Sequence, residues 1–136
     1  MDDMMKTFEI SASGLRAQGS RLKVIAENLA NANSLPQDTA DQPYRRRIVV
    51  FRDLLDRKLG VNRVVVDRIR PDPSPFTRRY EPGHPAADAQ GYVFAPNVNP
   101  LIEMTDMREA QRSYEANLSV IKTARTMLLD TLDILR

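Results

Sequence analysis

Each end of the chain repeats small and apolar side chains every seven residues, and this constrains the fold more than any other feature. Near the N-terminus Met5, Ala12, Gly19 and Ala26 form one such set, and Phe8, Leu15, Leu22 and Leu29 form a second, three residues further on. That is the spacing of a and d positions in a helical heptad. Arg16, Ser20, Arg21, Lys23 and Glu27 fall between them and suit solvent. The pattern predicts an amphipathic helix of roughly 28 residues, on the order of 40 Å long at 1.5 Å per residue. Its stripe is too long and narrow to bury itself, so it requires a partner. Gly14 and Gly19 each cost a helix about 1 kcal/mol relative to alanine, a cost that close approach of another helix would explain. The helix is expected to stop in Ala-Asn-Ala-Asn, residues 30–33, because asparagine tolerates the left-handed conformation and its amide can bond free backbone groups. Pro36 then disfavours continuation. A helix end and a contact with a neighbouring subunit both fit this run.

The C-terminal end supplies a matching pattern. Met107, Tyr114, Ile121, Leu128 and Leu135 make one seven-spaced set, and Met104, Gln111, Leu118, Arg125 and Leu132 make its partner, twice interrupted by polar residues. Beside this seam run Ala110, Asn117 and Ala124. The alanines permit close helix approach, while Asn117 either bonds across the seam and fixes its register or faces solvent. Asn99 is placed to cap, Pro100 suits the first turn, and Glu103 and Asp106 lie toward the positive end of the helix dipole. A second helix is therefore expected from about Pro100 to near the end.

Between the helices the period changes to that of strands. Tyr44–Phe51, Val61–Ile69 and the short Gly91–Phe94 are rich in β-branched or aromatic residues, predicting a small, mainly antiparallel sheet. Pro71–Phe76 and Tyr80–Asp88 carry Pro and Gly at turn-forming spacing. The expected fold is α+β, with residues 1–35 and 99–136 forming a discontinuous helical coiled-coil domain and residues 36–98 a β-rich and loop insert. So small an insert lies near the lower limit of independent stability. It cannot cover Val24, Ile25, Val120, Met127 and Leu129 on the helices. Burying such side chains is worth about 1.5–3 kcal/mol each, a strong drive to associate. Pairing of the two stripes within one chain and pairing between chains remain equally compatible with the pattern.

The 136 residues are enough for one domain, and the absence of cysteine rules out disulfides and Cys-based zinc sites. An acidic Met-Asp-Asp start and the lack of a long apolar run lead us to expect neither a cleaved secretory signal nor a membrane anchor. The single histidine, His84, sits in Pro-Gly-His-Pro and reads as a turn residue. With no glycine-rich phosphate motif and no paired carboxylates evident, catalytic, cofactor-binding and metal roles have no residues to rest on. Charge is uneven: residues 45–79 hold eleven Lys and Arg against four Asp and Glu. Arg45, Arg46 and Arg47 beside Tyr44 and Phe51 would suit nucleic acid, the alternative reading of this segment. Otherwise these arginines face solvent or pair with acidic groups.

The stretch Ser11–Ser34, SASGLRAQGSRLKVIAENLANANS, closely resembles the N-terminal signature of bacterial flagellar rod, hook and hook-associated axial proteins. Within that family, PYRRRIVVF (Pro43–Phe51), YEPGHPAADAQGYVFAPNVNP (Tyr80–Pro100) and EMTDMREAQRSYEANLSVIKTARTML (Glu103–Leu128) resemble a component of the proximal rod. The resemblance covers nearly the whole chain and is weakest over Asp53–Thr77.

It implies a coiled-coil domain from both termini packed around an export channel, with the β-rich middle outward. It also implies a structural, torque-transmitting subunit with no cofactor and no small-molecule substrate. Export through the flagellar type III apparatus and residence in the periplasmic rod would follow. The partners implied are further copies of the chain, other proximal and distal rod proteins, membrane-ring and rod-adaptor proteins, and the export apparatus. The signature positions carried over are Ser13, Gly14, Leu15, Ala17, Ile25, Asn28, Leu29, Ala30, Asn31 and Asn33. On the facing helix they are Met104, Met107, Ala110, Tyr114, Ala116, Asn117, Leu118 and Ile121. With Phe8, Leu22 and Leu128 from the seams, these make up the expected assembly interface.

Overall fold

A computed structural model describes residues 2–136. In chain order it contains helix α1 (Asp2–Ala30), strands β1 (Arg47–Asp56), β2 (Val61–Pro71), β3 (Thr77–Tyr80) and β4 (Tyr92–Ala95), and helix α2 (Pro100–Ile134). The expected single sheet is instead two separate two-stranded antiparallel sheets, β1–β2 and β3–β4. Strand β3 was hidden because two of its four residues are arginines. The chain divides into two compact units. The first takes α1 up to Leu22, Val49–Arg68 and α2 from Arg108; the second takes Lys23–Ile48 and Ile69–Met107.

Local chemistry accounts for the element ends. Asn99 caps α2: its Oδ1 accepts from the Leu101 N–H at 3.1 Å and its carbonyl from the Glu103 N–H at 3.0 Å. At the end of α1, the Asn31 amide donates to the Glu27 carbonyl at 2.8 Å. Among the described residues only glycines have positive φ, so the asparagines end the helix by side-chain bonding and not by a left-handed cap. The β1–β2 hairpin turns where Asp56 Oδ1 accepts from the N–H groups of Lys58 and Leu59 and Gly60 takes a φ of +65°. In the β3–β4 connection Gly91 has a φ of +87°, and a Cβ there would lie 3.0 Å from the Tyr80 ring. No helix among the described residues is long and apolar enough to cross a membrane.

In the first unit α1 meets a different element on each of two faces. On one, a Cβ at Gly14 would lie 2.7 Å from the Asn117 side chain, and Arg21 pairs with Glu109 at 3.5 Å. On another, Ser13 Oγ accepts from the Val64 N–H at 3.3 Å, and Arg63 pairs with Glu9 at 3.3 Å. At about 100° per residue, Leu15 and Leu22 follow Gly14 and Arg21 onto a third face. Ala17, Ala110 and Ala124 are buried, whereas Phe8, Leu15 and Leu22 are only half-buried and Met5 is exposed.

This overturns the expected coiled coil. Two terminal helices and two small antiparallel sheets make an α+β fold, but no coiled coil: every described heptad position on either helix is half-buried or exposed and none is buried. Where the two helices meet, Gly14 lies against Asn117 and Arg21 pairs with Glu109, and the absence of a side chain at Gly14 lets the backbones approach. Asn117 likewise does not bond across to α1; its amide donates to the Ser113 carbonyl of its own helix at 2.9 Å while the side chain covers Gly14.

The second unit packs β4 against its interior. Val93 and Ala95 are buried while Tyr92 and Phe94, alternating with them, face outward. Their register partners are Arg79 and Thr77 for the inward pair, Tyr80 and Arg78 for the outward pair.

Candidate assembly surface

Asn28, a signature residue expected at an interface, is 1% exposed and internal to the second unit. All four of its hydrogen-bonding positions are used. Oδ1 accepts from the Tyr44 hydroxyl at 2.7 Å and the Arg47 N–H at 3.0 Å. Nδ2 donates to the Arg47 carbonyl at 2.9 Å and to Glu103 Oε2 at 3.3 Å. The end of α1, the segment entering β1 and the start of α2 are thereby tied at one side chain.

Glu103, read from sequence only as a favourable charge near a helix start, is completely buried. A lone carboxylate there would be strongly disfavoured, and Arg46 Nε donates to its Oε1. The same guanidinium reaches Asp72 at 3.1 Å and Asp106 at 3.4 Å. Burial works against the Arg46 charge, but the bonds it donates to Glu103 and Asp72 outweigh that and hold the group above its ordinary range. Asp72 also accepts from the Ser74 hydroxyl at 2.6 Å and the Ser74 N–H at 2.9 Å. Those two bonds, with Arg46 adding to them, keep its carboxyl below the usual carboxylate range. Burial raises the pKa of the Tyr44 phenol. Asn97 closes the clamp, accepting from the Arg46 N–H at 2.7 Å and donating to the Asp72 and Ser74 carbonyls.

Most of the basic middle is used internally. Arg45 donates to the Asp72 and Ser74 carbonyls and stacks 4.1 Å from the Phe76 ring centroid. Arg47 pairs with Glu27, Arg52 with Asp67, Arg63 with Asp56, and Arg78 with Asp88, while Arg79 donates to Asn33. Only Arg57, Lys58, Arg68 and Arg70 lack such a partner among the described residues. Side chains engaged in this way are not gathered as a free basic strip, and nothing in the fold supports the nucleic-acid reading. His84 Nδ1 accepts from the Ala86 N–H at 3.0 Å within its turn. No metal-holding cluster occurs among the described residues.

The expected interface residues fall into three groups. Ser13, Gly14, Ala17, Ile25, Asn28 and Ala110 are buried within the chain. Phe8, Leu15, Leu22, Leu29, Asn31, Met107, Asn117, Leu118, Ile121 and Leu128 are half-buried. Ala30, Asn33, Met104, Tyr114 and Ala116 are exposed. Other exposed apolar groups were not expected as interface. Tyr80, 66% exposed, meets Tyr92 edge-on at 5.3 Å, and Phe94 lies on the same outward face. The Tyr-Val-Phe-Ala alternation was the signal for this aromatic face. Past Ala124, α2 has no buried residue, and Met127, Leu129, Leu132, Ile134 and Leu135 are all exposed.

Comparison with known proteins gives the same family at both ends and over the whole length. Residues 8–34 match the family described as Flagella basal body rod protein. Residues 89–134 match the family described as Flagellar basal body rod FlgEFG protein C-terminal. The chain is 47% identical over 136 residues to the flagellar basal-body rod protein FlgC of Agrobacterium fabrum, covering 100% of this chain and 98% of that protein. It is 42% identical over 129 residues to FlgC of Salmonella typhimurium, covering 95% of this chain and 96% of its relative. FlgC of Buchnera aphidicola from Acyrthosiphon pisum is 39% identical over 132 residues, 96% of this chain and 97% of that protein. With identity of this order over nearly the whole length of both chains, the chain belongs to the FlgC family of flagellar basal-body rod proteins.

Proposed function

We propose that the chain is a structural subunit of the proximal rod of the flagellar basal body, carrying torque from the membrane ring toward the distal rod and hook. The observation that carries this reading, beyond family membership, is the apolar surface its own fold does not use. The Phe8, Leu15 and Leu22 face of α1 is half-exposed, and beyond Ala124 the end of α2 has no buried residue and exposes Met127, Leu129, Leu132 and Ile134. Such surface on a folded chain drives association. The two terminal helices are then the assembling part, residues 36–98 the outward insert, and the expected interface residues that are not buried are the contacts. The partners are further copies, neighbouring rod proteins, and ring and adaptor proteins. The subunit reaches the periplasmic rod through the flagellar export apparatus. It works by packing, without a catalytic step or a cofactor.

Quantitative mass spectrometry on purified, high-salt-stripped hook-basal bodies tests this. Stoichiometric retention of the chain is expected, and its absence from particles made by cells that express it would refute the reading. Leu22→Glu or Leu118→Glu should abolish incorporation while leaving soluble expression intact. Normal rods from either variant would remove the seam from the interface.

A further inference from the structure

The first unit contains a groove of about 310 Å³ between the Ser13–Ser20 stretch of α1 and residues 63–66 of β2. It is lined by Ala17 and by Val64, Val65 and Val66, together with Arg16 and Arg63. Arg16 is exposed and makes no ion pair among the described residues. Arg63 spends its two terminal nitrogens on Glu9 and Asp56, but its buried Nε has no hydrogen-bond partner. Valine lining beside the unpaired Arg16 guanidinium calls for an occupant with aliphatic side chains and a carboxylate.

The end of α2 has that chemistry. Leu132 and Leu135 are exposed there, 77% in the case of Leu135, with Asp130 and Asp133 between and beside them. Asp133 meets only the exposed Arg136 of its own helix end, at 3.8 Å, a loose surface pair that a new partner can displace. A chain's own helix end cannot serve its own groove. Within the first unit Arg21 lies opposite Glu109 and Gly14 opposite Asn117, so the helices run antiparallel. Continued at one residue for one, that register puts Ala124 beside Thr7 and Leu132 beyond the start of α1. Tip and groove are then about 25 Å apart along the axis at 1.5 Å per residue.

Resting on the rod-subunit reading, we infer that the C-terminal end of α2 from one copy seats in the α1–β2 groove of a second copy, Leu132 or Leu135 on the valines and Asp133 on Arg16. The two surfaces differ, so the contact is head-to-tail and propagates copy to copy as a ring or helix, unlike a closed two-fold pair.

The cysteine-free sequence allows a direct test. Two differently tagged copies, one Ser20→Cys and one Leu132→Cys, are co-expressed in flagellated cells; basal bodies are purified and oxidised. A disulfide-linked dimer carrying both tags is expected, and a control pairing Ser20→Cys with Asp38→Cys should give none. Incorporated copies that yield no mixed dimer, or no more than the control, overturn the inference. As a second measurement, Arg16→Glu should cut retention in salt-stripped particles severalfold and Asp133→Arg in the same chain should restore it. Failure of the reversal to restore retention overturns the contact even if the cysteine variants do not assemble. Absence of the unaltered chain from basal bodies would instead refute the rod-subunit reading itself.

Discussion

Replacing Arg46 with methionine should expose what the clamp in the second unit contributes. Methionine keeps the length and apolar stem of the side chain but leaves the Glu103 carboxylate, 0% exposed, with no cation. Its remaining contact is the Asn28 amide at 3.3 Å. Asp72 and Asp106, at 13% and 30% exposure, retain some access to water and suffer less. Removing one partner of a buried ion pair costs about 3–5 kcal/mol, because a charge stays behind in a poorly polarisable site. For a chain of this size that corresponds to a fall in Tm of about 10–20 °C, read by circular dichroism on the purified protein. Glu103→Gln alone should cost about 1–3 kcal/mol. The double variant should be no worse than Arg46→Met, since the neutral amide no longer needs the cation. A cycle of the four proteins should therefore show a coupling of about 2 kcal/mol or more. A Tm within about 2 °C of the parent, or losses that simply add, would refute the view that Arg46 compensates a buried charge.

Three further outcomes follow from other sites. A Cβ at Gly19 would meet no atom within 4 Å, so Gly19→Ala should stabilise the isolated chain by about 1 kcal/mol; if rods still form normally, Gly19 is not a point of close approach between subunits. Gly14→Ala should instead destabilise by about 1–2 kcal/mol in chemical denaturation, because the new methyl meets the Asn117 side chain, and adding Asn117→Ala should recover the loss. Asp72 has a folded-state pKa below its unfolded value, so its contribution is complete above about pH 4 and is lost as pH drops through the depressed value. Ser74→Ala, which removes the largest cause of that depression, should move acid unfolding to higher pH, and an unchanged acid limb would show that Ser74 does not set it.

The sequence by itself determined both long helices, the Asn99 cap, the stop after Ala30 and three of the four strands, β1, β2 and β4. Each depends on side-chain spacing or on bonds between residues a few positions apart, which a linear pattern records. It also carried the family, because the Ser11–Ser34 signature is local and long. Only the tertiary structure decided which helix face is buried. Heptad leucines mark an apolar stripe, but Gly14, Ala17 and Ala110 permit closer packing on a neighbouring stripe, and that choice rests on what lies opposite. Asn28, Glu103, Arg46 and Asp72 are spread over 75 positions and look in sequence like a signature residue, a dipole charge, one of three arginines and a turn acid. Their meeting as one buried, mutually compensated cluster depends on long-range contacts that no spacing rule encodes.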